Sequence, residues 1–228
     1  MTRITPRAHA FLLSAALLFT AAPSLAAEDA GPETWYAEAF TQSESGLRVI
    51  YHWSKGRKFR SEIILGGVPV IYLVSGSTYY AIDSLSQRGM AIERGPKALA
   101  EDAKGGRPFL NDGDRLIAAG AEKTDSERIG GRPVDVYRMS EEPLKKTVWV
   151  TQDNLHLPVK MEIFDRKSSQ TATTHVDWGR DLEIPDAFFE PDPRITLERM
   201  SYEEYKTRSQ KGPVGPVPAL FSDLIHGS

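Results

Sequence analysis

Alternation of apolar and polar residues dominates the chain from Trp35 to about Trp178, and no other feature constrains the fold as strongly. A period of two is typical of β-strands, because successive side chains point to opposite faces of a sheet. Glycine-rich turns separate the alternating runs, and Gly66-Gly67 is a two-residue hairpin signal. We therefore predict antiparallel strands at residues 34–41, 47–53, 57–65, 68–74, 78–83, 88–93, 122–129, 132–139, 144–151, 157–165 and 170–178.

Helical signals occur only where the alternation stops. Residues 97–104 have a helix-forming composition, and residues 111–114 can cap a short helix at 115–119. Ser201 is placed to cap a helix at 202–209, with Glu204 in the third position of a capping box. About ten strands with helices at the joints predict an α+β, mostly β fold. We expect a strongly curved antiparallel sheet, an incomplete β-barrel, that short helices close.

The first 26 residues have the features of a cleavable export signal. Arg3 and Arg7 precede an apolar stretch at residues 10–19, and Ser24-Leu25-Ala26 offers small residues for signal peptidase. The apolar stretch is about half the roughly 20 residues that a membrane-spanning helix needs. We therefore predict cleavage near Ala26 and a mature protein in the periplasm.

Composition limits what the mature chain can bind. Cleavage would remove two arginines and no acid, which changes the formal net charge from −3 to −5, and an acidic chain without a basic run argues against nucleic acid as a partner. The chain has no cysteine, so it forms no disulfide and cannot carry a lipoprotein anchor. We expect a soluble protein.

The end of the chain differs in composition from the strands. Residues 212–218, with three prolines and two glycines, are predicted to form an extended or mobile linker, and the apolar residues 220–225 must dock somewhere. We divide the chain into a signal peptide (1–26), a curved-sheet domain (27–200) and a C-terminal helix with a proline-rich tail (201–228).

No motif indicates catalysis, a metal or another cofactor. His175 and Asp177 share one face of a strand, but no third ligand accompanies them, and the reading as exposed strand residues is favoured. Paired carboxylates of a hydrolase need no local spacing, so a hydrolase with dispersed acids stays an open alternative. We predict that the protein is not an enzyme.

Four short motifs follow one another in a distinctive order in the second half of the chain. They are GRPVDVYR (131–138), TVWVT (147–151), LPVKME (157–162) and IPDAFFEP (184–191). This order resembles the LolA-like superfamily of periplasmic proteins, which includes lipoprotein carriers of the outer membrane and the lipid-sensing domain of certain anti-sigma-factor regulators. The resemblance covers roughly residues 35–200. It implies an incomplete antiparallel barrel, closed by helices, whose apolar interior holds acyl chains.

The favoured hypothesis is a periplasmic binding or carrier protein for a lipid or a lipoprotein acyl chain. The residues predicted to line its cavity are Trp53, Phe59, Ile63, Leu65, Val159, Met161 and Ile163. The alternative is a regulatory or interaction protein that uses the same scaffold, through residues 202–209 or the tail, to contact a membrane-anchored partner. Alternation alone leaves open whether the apolar face encloses an empty cavity or is filled by the protein's own side chains.

Overall fold

The computed structural model describes residues 34–103, 112–153 and 155–227. The described residues form one twelve-stranded sheet. The strands are β1 (Thr34–Ser43), β2 (Gly46–Lys55), β3 (Lys58–Leu65), β4 (Val68–Ser75), β5 (Thr78–Asp83), β6 (Arg88–Glu93), β7 (Glu122–Ile129), β8 (Arg132–Glu141), β9 (Leu144–Thr151), β10 (Pro158–Asp165), β11 (Gln170–Arg180) and β12 (Thr196–Met200).

The strand order is β12-β6-β5-β4-β3-β2-β1-β11-β10-β9-β8-β7. Sequence neighbours pair as antiparallel hairpins, and β1 joins the two halves by pairing with β11. The sheet is curved, and its edge strands β7 and β12 do not pair with each other, so the predicted incomplete barrel is confirmed. Strand β12 was not predicted. It is short, largely polar and pairs in parallel with β6, far away in sequence, so no turn marks it.

The helices are α1 (Pro96–Asp102), α2 (Asp112–Ala118), α3 (Tyr202–Ser209) and α4 (Asp223–His226), with a 3-10 helix at Asp186–Phe189. Helix α3 begins as predicted, because the hydroxyl of Ser201 accepts a hydrogen bond from the backbone N–H of Glu204. Residues 1–26, the predicted signal peptide, and Asn111 of the predicted cap lie outside the described residues. Among the described helices, none has the length and hydropathy needed to cross a membrane.

The two faces of the sheet differ in what packs on them. Phe59, Ile63, Tyr72 and Tyr79 point to the side on which α3, α4 and the tail pack; we call this the helix-covered face. Their sequence neighbours point to the other side, which we call the opposite face, because side chains alternate along a strand. There Leu73, Ile82 and the residues around them pack against Ile195 and Leu197.

The tail is part of the main core. Val214, Val217 and Ile225 are buried against the helix-covered face. The Tyr72 hydroxyl donates to the Pro218 carbonyl at 2.8 Å, and the Tyr79 hydroxyl donates to the Leu220 carbonyl. Prolines suit this position because they lack an N–H that would otherwise need a buried acceptor. The tail therefore packs as an extended segment of the core.

Gly215 allows the tail to approach the sheet closely. It has a φ of +80°, and a Cβ at this position would lie 2.1 Å from the sulfur of Met90. Only glycine fits both the backbone conformation and the space.

Arg94, directly after β6, connects the tail to the rest of the fold through hydrogen bonds. It is 4% exposed. Its guanidinium donates to the Leu224 carbonyl at 2.6 Å, to the Gly76 carbonyl at 3.1 Å and to the Asp102 carboxylate at 2.5 Å. One buried cation thus joins the tail, a hairpin and α1, with its charge paired as burial requires.

Candidate ligand-binding site

The structure brings five of the seven predicted cavity residues to one face. Phe59, Ile63 and Leu65 lie on the helix-covered face of β3 and belong to the main core or pack against it. Met161 and Ile163 lie on the same face of β10, at the other side of the sheet. Met161 packs against a separate cluster that includes Leu116. The five residues therefore belong to two neighbourhoods of one face.

The other two predicted residues lie on the opposite face. Trp53 is paired with Arg60, so it points away from Phe59, and its ring meets that of Phe188 edge-on at 5.2 Å. Val159 packs beside Trp149 in a small cluster of that face, because a register shift between Pro158 and Lys160 interrupts the alternation of β10. Neither residue shares a surface with Phe59.

The protein's own tail fills the helix-covered face over β2–β6. The ring of Phe221 packs edge-on among three rings of the sheet, 5.5 Å from Phe59, 5.5 Å from Tyr72 and 5.6 Å from His52. These edge-to-face contacts have the geometry that aromatic pairs prefer. Over these strands, the alternation reflects a filled core.

Burial in this filled core lowers the pKa of His52. The residue is 3% exposed, and burial lowers the pKa of its imidazole to about 4. Desolvation disfavours the charged form of a base, so His52 is neutral at pH 7. The aromatic contacts of His52 with Phe59 and Phe221 therefore do not involve a formal charge.

An apolar groove of about 570 Å³ lies along β2, β3 and β4, mainly on the opposite face. Two of its side chains are large, apolar and exposed, since Leu47 and Ile64 retain 69% and 67% of their accessible surface. Its volume lies within the roughly 300–1,000 Å³ of small-molecule sites. The lining residues are Leu47, Arg48, Val49, Tyr51, Glu62, Ile63, Ile64, Pro69, Val70, Ile71 and Ser84.

A second depression, of about 650 Å³, adjoins the groove. The two share Ile71 and Ser84, and the second one extends beneath the chain segment that follows the 3-10 helix. Arg60 lies between them: its guanidinium is 4.4 Å from the Phe188 ring centroid and 2.6 Å from the Glu62 carboxylate. The groove therefore continues into this more polar depression, where the charge of Arg60 is already paired with that of Glu62.

An aromatic and acidic wall adjoins the groove on the side of β1. Tyr36 donates to the Glu38 carboxylate at 3.4 Å, and Tyr51 lies directly opposite Glu38 on the neighbouring strand. Burial, followed by the charge of Glu38, raises the pKa of Tyr36 to about 12, and the charge of Glu38 is the largest cause of the raised pKa of Tyr51. Both phenols therefore stay neutral at pH 7, beside a carboxylate.

Catalytic and metal-binding groups do not converge on the groove. Glu62 is its one acidic lining residue, and it is ion-paired with Arg60. Within the described ranges, no three His, Asp or Glu side chains form a set that could hold a metal ion. His175 and Asp177 are both exposed on β11, as the sequence predicted. The described lining of the groove is thus mainly apolar.

The fold is similar to that of a solved structure, although no sequence match was found. No protein-family model and no curated protein matches the sequence. The chain matches an uncharacterised conserved protein of Thermus thermophilus with a TM-score of 0.50 at 10% identity, over 73% of this chain and 90% of that one. At this identity the likeness concerns the fold: an incomplete antiparallel barrel with helices on one face.

Two further matches have names that concern lipoproteins. A Vibrio parahaemolyticus domain assigned to outer-membrane lipoprotein sorting matches with a TM-score of 0.30 at 12% identity, over 70% of this chain and 89% of that one. The Mycobacterium tuberculosis lipoprotein LppX matches with a TM-score of 0.38 at 13% identity, over 68% and 91%. A lipoprotein-sorting domain is thus among the matched structures, and these names describe those two proteins.

Sequence reasoning missed the groove, although β2 contains a signal for it. Leu47, Val49, Tyr51 and Trp53 form the more apolar of the two alternating sets in β2, and alone they read as the buried set. The hairpin pairing reverses this reading, because it aligns His52 with Ser61 on the helix-covered face. The apolar set therefore points to the face that is only partly covered.

Proposed function

We propose that the protein is an exported, non-catalytic binding or carrier protein that holds an apolar ligand, a lipid or an acyl chain, in the groove along β2–β4. The observation that carries this proposal is the groove itself, with its exposed apolar side chains Leu47 and Ile64. Apolar surface that a fold leaves open in a concave site is stabilised when a ligand covers it. Export to the periplasm follows from the predicted leader.

The interaction hypothesis has less support. One of its two proposed contact segments, residues 202–209, is a polar helix whose buried residue, Tyr205, belongs to the main core. The other, the tail segment of residues 212–225, lies packed against the helix-covered face, with Val214, Val217 and Ile225 buried. A partner would have to displace that packing before it reached the segment. The groove requires no such rearrangement.

Titration of the protein into the neutral fluorophore N-phenyl-1-naphthylamine tests the proposal. Ile64→Gln should weaken binding about five- to tenfold, because it removes about 1 kcal/mol of apolar contact. Since Ile64 is 67% exposed, stability should stay unchanged. Leu85→Gln is the matched control: Leu85 is 75% exposed but does not line the groove.

Two outcomes would contradict the proposal. Absence of fluorophore uptake by the wild-type protein, together with no co-purified lipid in mass spectrometry, would exclude apolar-ligand binding. Unchanged binding in Ile64→Gln, with increased binding in Tyr79→Phe, would place the ligand on the helix-covered face, because that second change loosens the tail. Sequencing of the N-terminus of periplasmic protein tests the export part, with a start just after Ala26 as the expected result.

A further inference from the structure

We propose that the groove is selective for cationic amphiphiles, with the alkyl chain in the groove and an ammonium head group against the wall formed by Tyr51 and Glu38. This inference rests on the proposed function, which supplies the site for the chain. It adds the chemical class of the head group, which nothing in the groove's apolar lining specifies.

Acidic side chains follow one another along one row of the opposite face. Asp177, Glu38, Tyr51 and Glu62 are cross-strand neighbours on β11, β1, β2 and β3. Directly opposed residues have Cβ atoms roughly 4.5–5.5 Å apart, so the carboxylates follow one another at short range. Tyr51 and Glu62 line the groove. The row therefore leads from the groove to Glu38 and Asp177.

Two of these carboxylates have no cationic partner among the described residues. Glu62 is paired with Arg60 at 2.6 Å. Glu38 and Asp177 make no salt bridge with any residue in the described part of the chain, and the phenol that donates to Glu38, that of Tyr36, is neutral. The wall thus has an uncompensated negative charge. A head group of opposite charge complements it.

An aromatic surface lies beside those carboxylates. The Trp53 ring lies 5.5 Å from the Tyr36 ring and 6.0 Å from the Tyr51 ring, in tilted and stacked arrangements. Aromatic faces attract ammonium groups through the ring quadrupole. The charge of Glu38 is the largest cause of the raised pKa of Tyr51, whereas burial comes before it as the cause of the raised pKa of Tyr36. Rings and carboxylates therefore favour the same kind of head group.

Arg48 is a cation in the groove lining that would favour an anionic head group instead. It lines the groove near Leu47 and also a small polar pocket with Thr41, Ser43 and Ser45. However, Arg48 is opposite Thr41 and its side chain points to the helix-covered face, away from Tyr51. An anionic head group would therefore have to lie at the end of the groove next to the β1–β2 hairpin.

Displacement of N-phenyl-1-naphthylamine by three C12 amphiphiles, each kept below its micelle concentration, tests the inference. The probes are dodecyltrimethylammonium, dodecyl maltoside and dodecanoate. We expect the ammonium compound to displace the fluorophore about tenfold better than dodecanoate, and Glu38→Gln to lower this preference about fivefold. Glu38→Gln keeps an acceptor for the Tyr36 hydroxyl, and the preference of each variant is expressed relative to its own affinity for the neutral fluorophore. Glu183→Gln, an exposed acid away from the row, is the control.

Each outcome has a distinct meaning. A preference for the ammonium compound that high salt and Glu38→Gln both reduce supports the inference, because screening weakens only the charge term. Equal displacement by all three amphiphiles, tighter binding of dodecanoate, or a preference unchanged in Glu38→Gln would overturn it while leaving apolar-ligand binding intact. Absence of fluorophore binding would instead remove the proposed function and this inference together.

Discussion

Phe221 offers the sharpest test of the tail as a structural part of the core. The residue has a φ of +57°, a conformation that L-residues other than glycine rarely adopt. Its ring nevertheless meets the rings of His52, Phe59 and Tyr72. The aromatic contacts, about 0.5–1.5 kcal/mol each beyond the area they bury, offset a backbone cost of roughly 1–2 kcal/mol.

The energy of the aromatic contacts and the cost of the backbone conformation together predict the effects of two substitutions at position 221. Removal of a fully buried phenylalanine ring costs about 3–5 kcal/mol, and Phe221 is only half-buried, so we expect Phe221→Ala to lower the free energy of unfolding by about 2–3 kcal/mol. Phe221→Gly loses the same contacts but relieves the strained φ. It should therefore be about 1 kcal/mol more stable than Phe221→Ala.

Urea unfolding followed by circular dichroism measures both differences. The sign of the second one is decisive, because at an ordinary extended position glycine is less stable than alanine by about 0.5–1 kcal/mol. Phe221→Gly less stable than Phe221→Ala would refute the left-handed conformation. A cost below about 0.5 kcal/mol for Phe221→Ala would refute the reasoning that the tail unfolds together with the sheet.

Three further predictions concern the same core, each measured by urea unfolding. Arg94→Ala should cost about 3–5 kcal/mol because it removes the cation beside the Asp102 carboxylate and the donor to the Gly76 and Leu224 carbonyls, and Arg94→Lys should recover only part of this, since an ammonium lacks the planar fork. The free energy of unfolding should fall by roughly 3 kcal/mol as the pH drops from about 6.5 to about 4, because over this range His52 binds a proton in the unfolded chain but not in the folded protein. His52→Gln should abolish this contribution. Tyr79→Phe should cost about 1–3 kcal/mol, because the Leu220 carbonyl loses its donor.

The strands could be predicted because local signals specify them. Gly66-Gly67 turns the chain with both glycines at positive φ, which sets the pairing of Ile64 with Pro69. The same reasoning could not find β12, because a parallel strand has no hairpin turn beside it. Its pairing with β6 depends on contacts between residues far apart in the chain.

The faces of the sheet were harder to predict than its strands. In β2, His52 and Ser54 are buried on the helix-covered face, whereas Tyr51 and Trp53 lie on the opposite face. A polar pair in the core reverses the pattern from which the buried face is normally deduced. This reversal explains why Trp53, predicted beside Phe59, lies across the sheet from it.

The same reversal accounts for the position of the candidate site. The chain's own tail covers the helix-covered face over β2–β6, since Val217, Phe221 and Ile225 pack against the apolar side chains of β3–β6. On the opposite face, no segment among the described residues covers Leu47 and Ile64, which stay about two-thirds exposed. Apolar surface that the core does not use is where a ligand gains most from burial, so the open groove is a stronger candidate than the filled face.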